Sequence, residues 1–164
     1  MNVYSEPGKG STFHVYLPVT QGDLEPKRLP PAAVRGGEET ILLVEDDKSV
    51  REIIEELLRG LGYSVLTAGD GEEGLQIFED RLTGISLVIM DLVLPKLSGL
   101  DLLERLRRRR SDVPVILMSG YSPEHARIEE LVREGVKVLH KPFSRTELAG
   151  KVRETLDRAQ VKAH

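Results

Sequence analysis

The chain has 164 residues, 40% apolar and 30% charged, with a formal net charge of −4; this suits one folded domain plus a modest appendage and excludes wholesale disorder. So mild a charge gives no reason to expect a nucleic-acid or anionic-membrane partner. With no cysteine, no apolar run long enough to span a bilayer and no signal-like apolar segment near Met1, the chain has no disulfides or thiolate metal sites and reads as cytoplasmic.

Residues 1–20 hold two short β-type stretches, 3–5 and 13–17, around the turn-rich Glu6-Pro7-Gly8-Lys9-Gly10-Ser11, the pattern of a hairpin. Gly8-Lys9-Gly10 is not a phosphate-binding loop, because a Ser or Thr would have to follow the lysine. Residues 21–38, with Pro26, Pro30, Pro31, Gly36 and Gly37 among charges and no periodicity, read as a linker. Residues 39–161 then alternate between apolar strands and amphipathic helices. The strands are predicted at 41–44, 63–67, 86–90, 113–118 and 137–140. Nearly continuous Ile, Val and Leu in the first, third and fourth predict strands covered on both faces. Helical stripes are formed by Val50, Ile53, Ile54, Leu57 and Leu58, then by Leu102, Leu103 and Leu106. Ile128, Leu131 and Val132 mark the fourth helix, and Leu148, Val152 and Leu156 the last. Asp70-x-x-Glu73 and Ser144-x-x-Glu147 predict capping boxes, and Ser122-Pro123 a further helix start. Strand–helix alternation with short connections predicts an α/β fold, a doubly wound five-stranded parallel sheet with helices on both faces.

In such a sheet ligands bind beyond the carboxyl ends of the strands. Those positions carry Glu45, Asp46 and Asp47 after the first strand, Asp91 after the third, Ser119 after the fourth and Lys141-Pro142 after the fifth. Clustered carboxylates repel one another and call for a cation, and a site of hard oxygen ligands suits Mg²⁺. A carboxylate nucleophile flanked by a metal ion and an ammonium suits phosphoryl transfer onto Asp91.

Val44-Glu45-Asp46-Asp47, Asp91-Leu92-Val93-Leu94-Pro95-Lys96-Leu97-Ser98-Gly99, Met118-Ser119-Gly120-Tyr121-Ser122 and Lys141-Pro142-Phe143 resemble, in order and spacing, the signatures of response-regulator receiver domains. The resemblance spans about residues 40–158. It implies a flavodoxin-like (βα)5 fold with strand order 2-1-3-4-5, the order found in the chemotaxis member of that family. It implies that Asp91 takes phosphate from a phosphohistidine and that Mg²⁺ is held directly by Asp46, Asp91 and the backbone carbonyl of Val93, and by Glu45 through a metal-bound water. Ser119 and Lys141 would engage the phosphoryl group, across a cis Lys141-Pro142 bond. Asp47 matches a neighbouring acidic position that is not the main ligand, and Val93 and Tyr121 match positions that tune phosphoryl lifetime. The partners implied are a histidine kinase or a histidine phosphotransfer protein, with a homodimer left open. One departure stands out: the family places Tyr or Phe three residues before the lysine, and here that residue is Val138. The N-terminal Val3-Tyr4-Ser5-Glu6-Pro7-Gly8-Lys9-Gly10-Ser11-Thr12-Phe13-His14-Val15-Tyr16-Leu17-Pro18 is similar to the last hairpin of histidine-kinase ATPase domains. It suggests the tail of a hybrid kinase whose own catalytic parts lie outside this chain.

Competing readings are narrower. Acids after strands often cap helices, yet four matched positions on one rim exceed what capping explains. A haloacid-dehalogenase-type phosphatase needs a second Asp two residues after the nucleophile, where this chain has Val93. A receiver-like module that never accepts phosphate is disfavoured by the complete set Asp46, Asp91, Ser119 and Lys141. The basic run Arg107, Arg108, Arg109 and Arg110 reads as solvated cations at a helix C-terminus. His14, His125, His140 and His164 show no metal-ligand spacing. Only six residues follow Arg158, so output is expected through protein contact rather than through a DNA-binding or enzymatic domain.

Overall fold

The computed structural model describes residues 2–16, 35–120 and 125–162, which fall in two units divided near Pro30. In the first, β1 (Asn2–Glu6) and β2 (Gly10–His14) form an antiparallel hairpin with Val3 opposite Phe13 and Glu6 opposite Gly10. The residue pattern places the second strand at 13–17, whereas it starts at Gly10. Gly8 and Gly10 adopt φ of 79° and 95°, a left-handed geometry open to glycine. The chain therefore reverses within Pro7-Gly8-Lys9, Lys9 N donating to Glu6 O at 3.0 Å, and Ser11 can pair with Ser5 at once. Residues 17–20 of the expected hairpin segment and 21–34 of the expected linker lie outside the described residues.

The second unit contains β3 (Thr40–Val44), α1 (Lys48–Arg59), β4 (Ser64–Ala68), α2 (Gly71–Asp80), β5 (Leu87–Asp91) and α3 (Gly99–Arg109). It continues with β6 (Val115–Ser119), α4 (His125–Arg133), β7 (Lys137–His140) and α5 (Arg145–Lys162). The five strands are all parallel, in the order β4-β3-β5-β6-β7. Counted within this unit, that is the expected 2-1-3-4-5. Successive strand side chains point to opposite faces, and both faces are apolar. Leu42, Val44, Val88, Met90 and Leu117 meet Phe78, Leu102, Leu106 and Leu131 of α2, α3 and α4. Ile41, Leu43, Leu87, Ile89, Ile116 and Met118 meet Ile54 and Leu58 of α1 and Leu148, Val152 and Leu156 of α5. That double burial is why these strands read as unbroken apolar runs. No helix among the described residues is long and apolar enough to cross a membrane.

The helix starts follow the predicted chemistry. Glu73 N donates to Asp70 Oδ1 at 2.9 Å, while the Glu73 carboxylate reaches back to Gly69 N at 2.6 Å. Ser144 and Glu147 cap each other at 2.7 and 3.2 Å, and the amide of Ser144 holds the Glu147 carboxyl below its ordinary range. Ser122-Pro123 lies outside the described residues. Two stripe members turn out to face solvent, Ile53 at 60% exposure and Val132 at 50%. At roughly 100° per residue, Ile53 sits one residue off the Ile54–Leu58 line, and Val132 off the Ile128–Leu131 line. The arginine run is more than a solvated face. Arg107 pairs with Glu134 just past α4 at 2.9 Å, and Arg109 with Glu79 of α2 at 2.7 Å. Arg110 donates to the carbonyls of Leu82 and Ile85 and lies 5.4 Å over the Phe78 ring.

The end of the expected linker is docked. Gly37 N donates to Leu61 O at 3.2 Å, and a Cβ on Gly36 would lie 1.7 Å from that same oxygen, so only glycine permits the approach. Beyond it, Glu39 accepts from Arg153 of α5 at 2.8 Å in a mostly buried pair. The Arg153 hydrogen bond holds the Glu39 carboxyl below its ordinary value of 4.5. A carboxyl with a depressed folded-state pKa adds stability above its unfolded value and loses it as pH falls through the folded value. Glu39→Gln is therefore expected to cost about 1.5–3 kcal/mol at neutral pH. The difference from the parent should close below pH 4.5, as urea denaturation across that range would show.

Candidate functional site

The register of the parallel strands brings the predicted residues to one rim. Val44 is level with Met90, Asp91 with Met118 and Ser119 with His140. Asp91 and Ser119 are the last residues of β5 and β6 rather than the first beyond them, a one-residue shift that leaves them at the rim. Glu45 leaves β3 pointing inward and is 2% exposed. Lys141, just past β7, donates from Nζ to Glu45 Oε2 at 2.6 Å and to Asp91 Oδ2 at 2.5 Å. The other Asp91 oxygen accepts from Val93 N at 3.1 Å.

Burial dominates the Glu45 carboxyl and pushes it above its ordinary range, an effect the Lys141 ammonium only partly offsets. For Lys141, burial alone would push the ammonium down. Its hydrogen bonds to Asp91 and Glu45 together outweigh burial and leave it raised. One carboxylate oxygen from each of Glu45, Asp46 and Asp91 lies within 4.8 Å of the others. Three acids against one ammonium leave negative charge uncompensated, and the donors are all hard oxygens. The set therefore fits a divalent cation such as Mg²⁺.

Several neighbours hold the frame. Lys96, in the loop after β5, adopts φ of 64° and reaches Asp70 at 2.6 Å, clamping that loop to the start of α2. Lys141 N donates to Ser119 O at 2.8 Å, and the Lys141-Pro142 bond is cis, as the resemblance implies. Ser119 is buried, and its hydroxyl donates to Gly120 O at 3.1 Å rather than to Asp91 or Lys141. The Val93 side chain is 69% exposed at the mouth. Val138 is half-buried against the core on the α4 side. Tyr121 lies outside the described residues.

Two roles lie outside those the resemblance implies. Asp47 caps α1, its Oδ1 accepting from Ser49 N at 2.8 Å and Val50 N at 3.1 Å. That bond explains the acid without any metal. Arg51, one turn into α1, donates to the backbone carbonyls of Glu45 and Asp46. The one available signal for it is a cation in the first turn of a helix, where the dipole disfavours positive charge.

Residues 41–153 match the family model of the response regulator receiver domain. Over 164 aligned residues the chain is 36% identical to sensor kinase CckA of Brucella abortus, covering 94% of this chain and 17% of that protein. It is 40% identical to a probable transcriptional regulator, ycf27, of Porphyridium aerugineum, over 73% of this chain and 49% of that one. The chain thus spans from under a fifth to about half the length of these curated relatives. Among solved structures, a receiver domain protein from Clostridium thermocellum superposes with a TM-score of 0.71 at 30% identity, over 76% of this chain and 98% of that one. The receiver domain of the hybrid histidine kinase CckA gives 0.61 at 38%, over 71% and 98%. With its strand order, its acidic rim and the matched span of residues 41–153, the chain belongs to the response regulator receiver domain family of two-component signalling proteins.

Proposed function

We propose that Asp91 accepts a phosphoryl group from a phosphohistidine in a Mg²⁺-dependent step, and that the phosphorylated rim switches a protein-interaction surface. The observation that carries this reading is the Lys141 ammonium bridging Asp91 and Glu45 at 2.5 and 2.6 Å, beside an acidic trio of hard oxygen donors. In the step an O–P bond forms at Asp91 while the N–P bond of the donor breaks and its imidazole leaves with a proton. Lys141 supplies a fixed positive charge for the transferring oxygens, already held by two carboxylates and so needing little reorganisation. Ser119, on the adjacent strand end, turns its hydroxyl from Gly120 O to the phosphoryl group. Glu45, Asp46, Asp91 and the Val93 carbonyl would hold Mg²⁺, and the chemistry the ion supplies is neutralisation of charge on the phosphoryl oxygens. Val93 and Tyr121 tune access of water to the acyl phosphate. The domain catalyses only its own phosphorylation and dephosphorylation.

We read residues 1–20 as the last hairpin of a kinase ATPase domain, 21–38 as a linker and 39–161 as the receiver. Support comes from the CckA alignment, whose 94% coverage extends well beyond the 41–153 span of the receiver family. The partners on this reading are the phosphohistidine domain of a hybrid kinase and a histidine phosphotransfer protein, in the cytoplasm, with homodimerisation a further option.

Intact mass spectrometry after incubation with acetyl phosphate tests the proposal. One phosphoryl group should be gained with Mg²⁺ and mapped to Asp91 by peptide sequencing, and none should be gained in EDTA. A folded chain that takes no phosphate from acetyl phosphate or from a phosphorylated histidine domain would be an interaction module only.

A further inference from the structure

We propose that Arg51 is a positioning residue for the divalent-cation site, acting on Glu45 and Asp46 through their backbones; the inference rests on the cation reading above. Arg51 lies in the first turn of α1 with Lys48, and no acid stands in that turn. A cation there faces the positive end of the helix dipole, a disfavoured placement. Yet among the described residues its guanidinium pairs with no carboxylate. It turns back over the β3–α1 loop, where Nη1 donates to Glu45 O and, at 3.2 Å, to Asp46 O.

Those two carbonyls belong to the peptide planes on either side of Asp46. Fixing both planes fixes the backbone dihedrals of Asp46, and with them the direction in which its side chain leaves the loop. The same bonds orient the exit of Glu45, whose own N–H is held by Ala68 O at 3.1 Å. The loop is thus tied at three backbone atoms. One carboxylate is aimed inward to Lys141 and the next stays on the exposed rim, both within 4.8 Å of an Asp91 oxygen. Like charges so close would otherwise spread apart, so the geometry a cation needs has to be imposed from the backbone.

The sign of one substitution separates this role from a merely electrostatic one. Deleting a cation near an acidic cluster should, by charge alone, tighten binding of a divalent ion. Deleting a positioning group should loosen it. The experiment uses Mn²⁺ as the probe, with free ion measured by electron paramagnetic resonance in the full chain for the parent, Arg51→Gln and Arg51→Lys. Metal-free melting followed by circular dichroism establishes that each is folded. Arg51→Gln is expected to raise the Mn²⁺ dissociation constant about tenfold. Arg51→Lys, which keeps the charge and can reach one carbonyl, should raise it about threefold. An Arg51→Gln variant that binds Mn²⁺ as tightly as the parent, or more tightly, overturns the proposal whatever its melting temperature. Should Arg51→Gln not fold, Arg51→Lys decides: weaker binding supports the role and parental affinity overturns it. A folded parent that binds no Mn²⁺ removes the cation reading itself, and the role of Arg51 with it.

Discussion

Asp91→Asn is expected to take the chain from one phosphoryl group gained to none, while leaving it folded. An amide lacks the anionic oxygen needed for attack on phosphorus, so acetyl phosphate and a phosphorylated histidine domain should both fail as donors. The fold should tolerate the change because the charges rearrange rather than being stranded. Lys141 keeps its 2.6 Å contact with Glu45, and Glu45 loses a like-charged neighbour that helps to hold its carboxyl above the ordinary range. Intact mass together with urea denaturation checks both halves. A phosphoryl gain that survives the substitution would move the acceptor elsewhere on the chain.

Removing the ammonium should have the opposite balance. Lys141→Ala strands Glu45, with a side chain only 2% exposed, and Asp91, at 13%, without their shared cation. Breaking a buried pair of this kind costs about 3–5 kcal/mol, and the lower end applies because the Lys141 side chain is 25% exposed. The pH dependence has a definite sign. Glu45 is already raised above its ordinary 4.5, and losing Lys141 removes the largest influence opposing that shift. An acid with a raised folded-state pKa is tolerated when protonated and destabilises the fold as pH rises through its folded value. The deficit should therefore be largest at neutral pH and shrink as pH falls toward the raised Glu45 value. Saturating Mg²⁺ should restore more stability to the variant than to the parent, since the ion replaces part of the missing charge. The rate of labelling at saturating Mg²⁺ should drop by about 10²–10³-fold. Denaturation at two pH values, with EDTA or Mg²⁺, and a labelling time course together measure these effects. A variant as stable as the parent in EDTA at neutral pH would show that the acids do not depend on Lys141.

Local periodicity was enough to specify the layered sheet and the residues on its rim. Alternation between Ile41 and Leu43 on one face and Leu42 and Val44 on the other appears as an unbroken apolar run only when both faces are covered. A parallel topology then sends the carboxyl end of every strand to the same edge, so the order of Glu45, Asp46, Asp91, Ser119 and Lys141 along the chain already places them on one rim. Long-range packing, in contrast, sets where long side chains and spare backbone groups meet. Ile53 and Val132 belong to apolar stripes by composition, but which edge of a helix meets the sheet depends on how the helix is rotated against it. The arginines after Leu106 are alike in sequence, yet one grips α2, one the end of α4 and one the loop before β5. Gly36-Gly37 reads as linker because glycine frees a chain, whereas here its missing side chains let the backbone pack on Leu61. Arg51 is the sharpest case. Its partners are carbonyls in the loop just beyond β3, and backbone groups have no residue identity for a sequence to record.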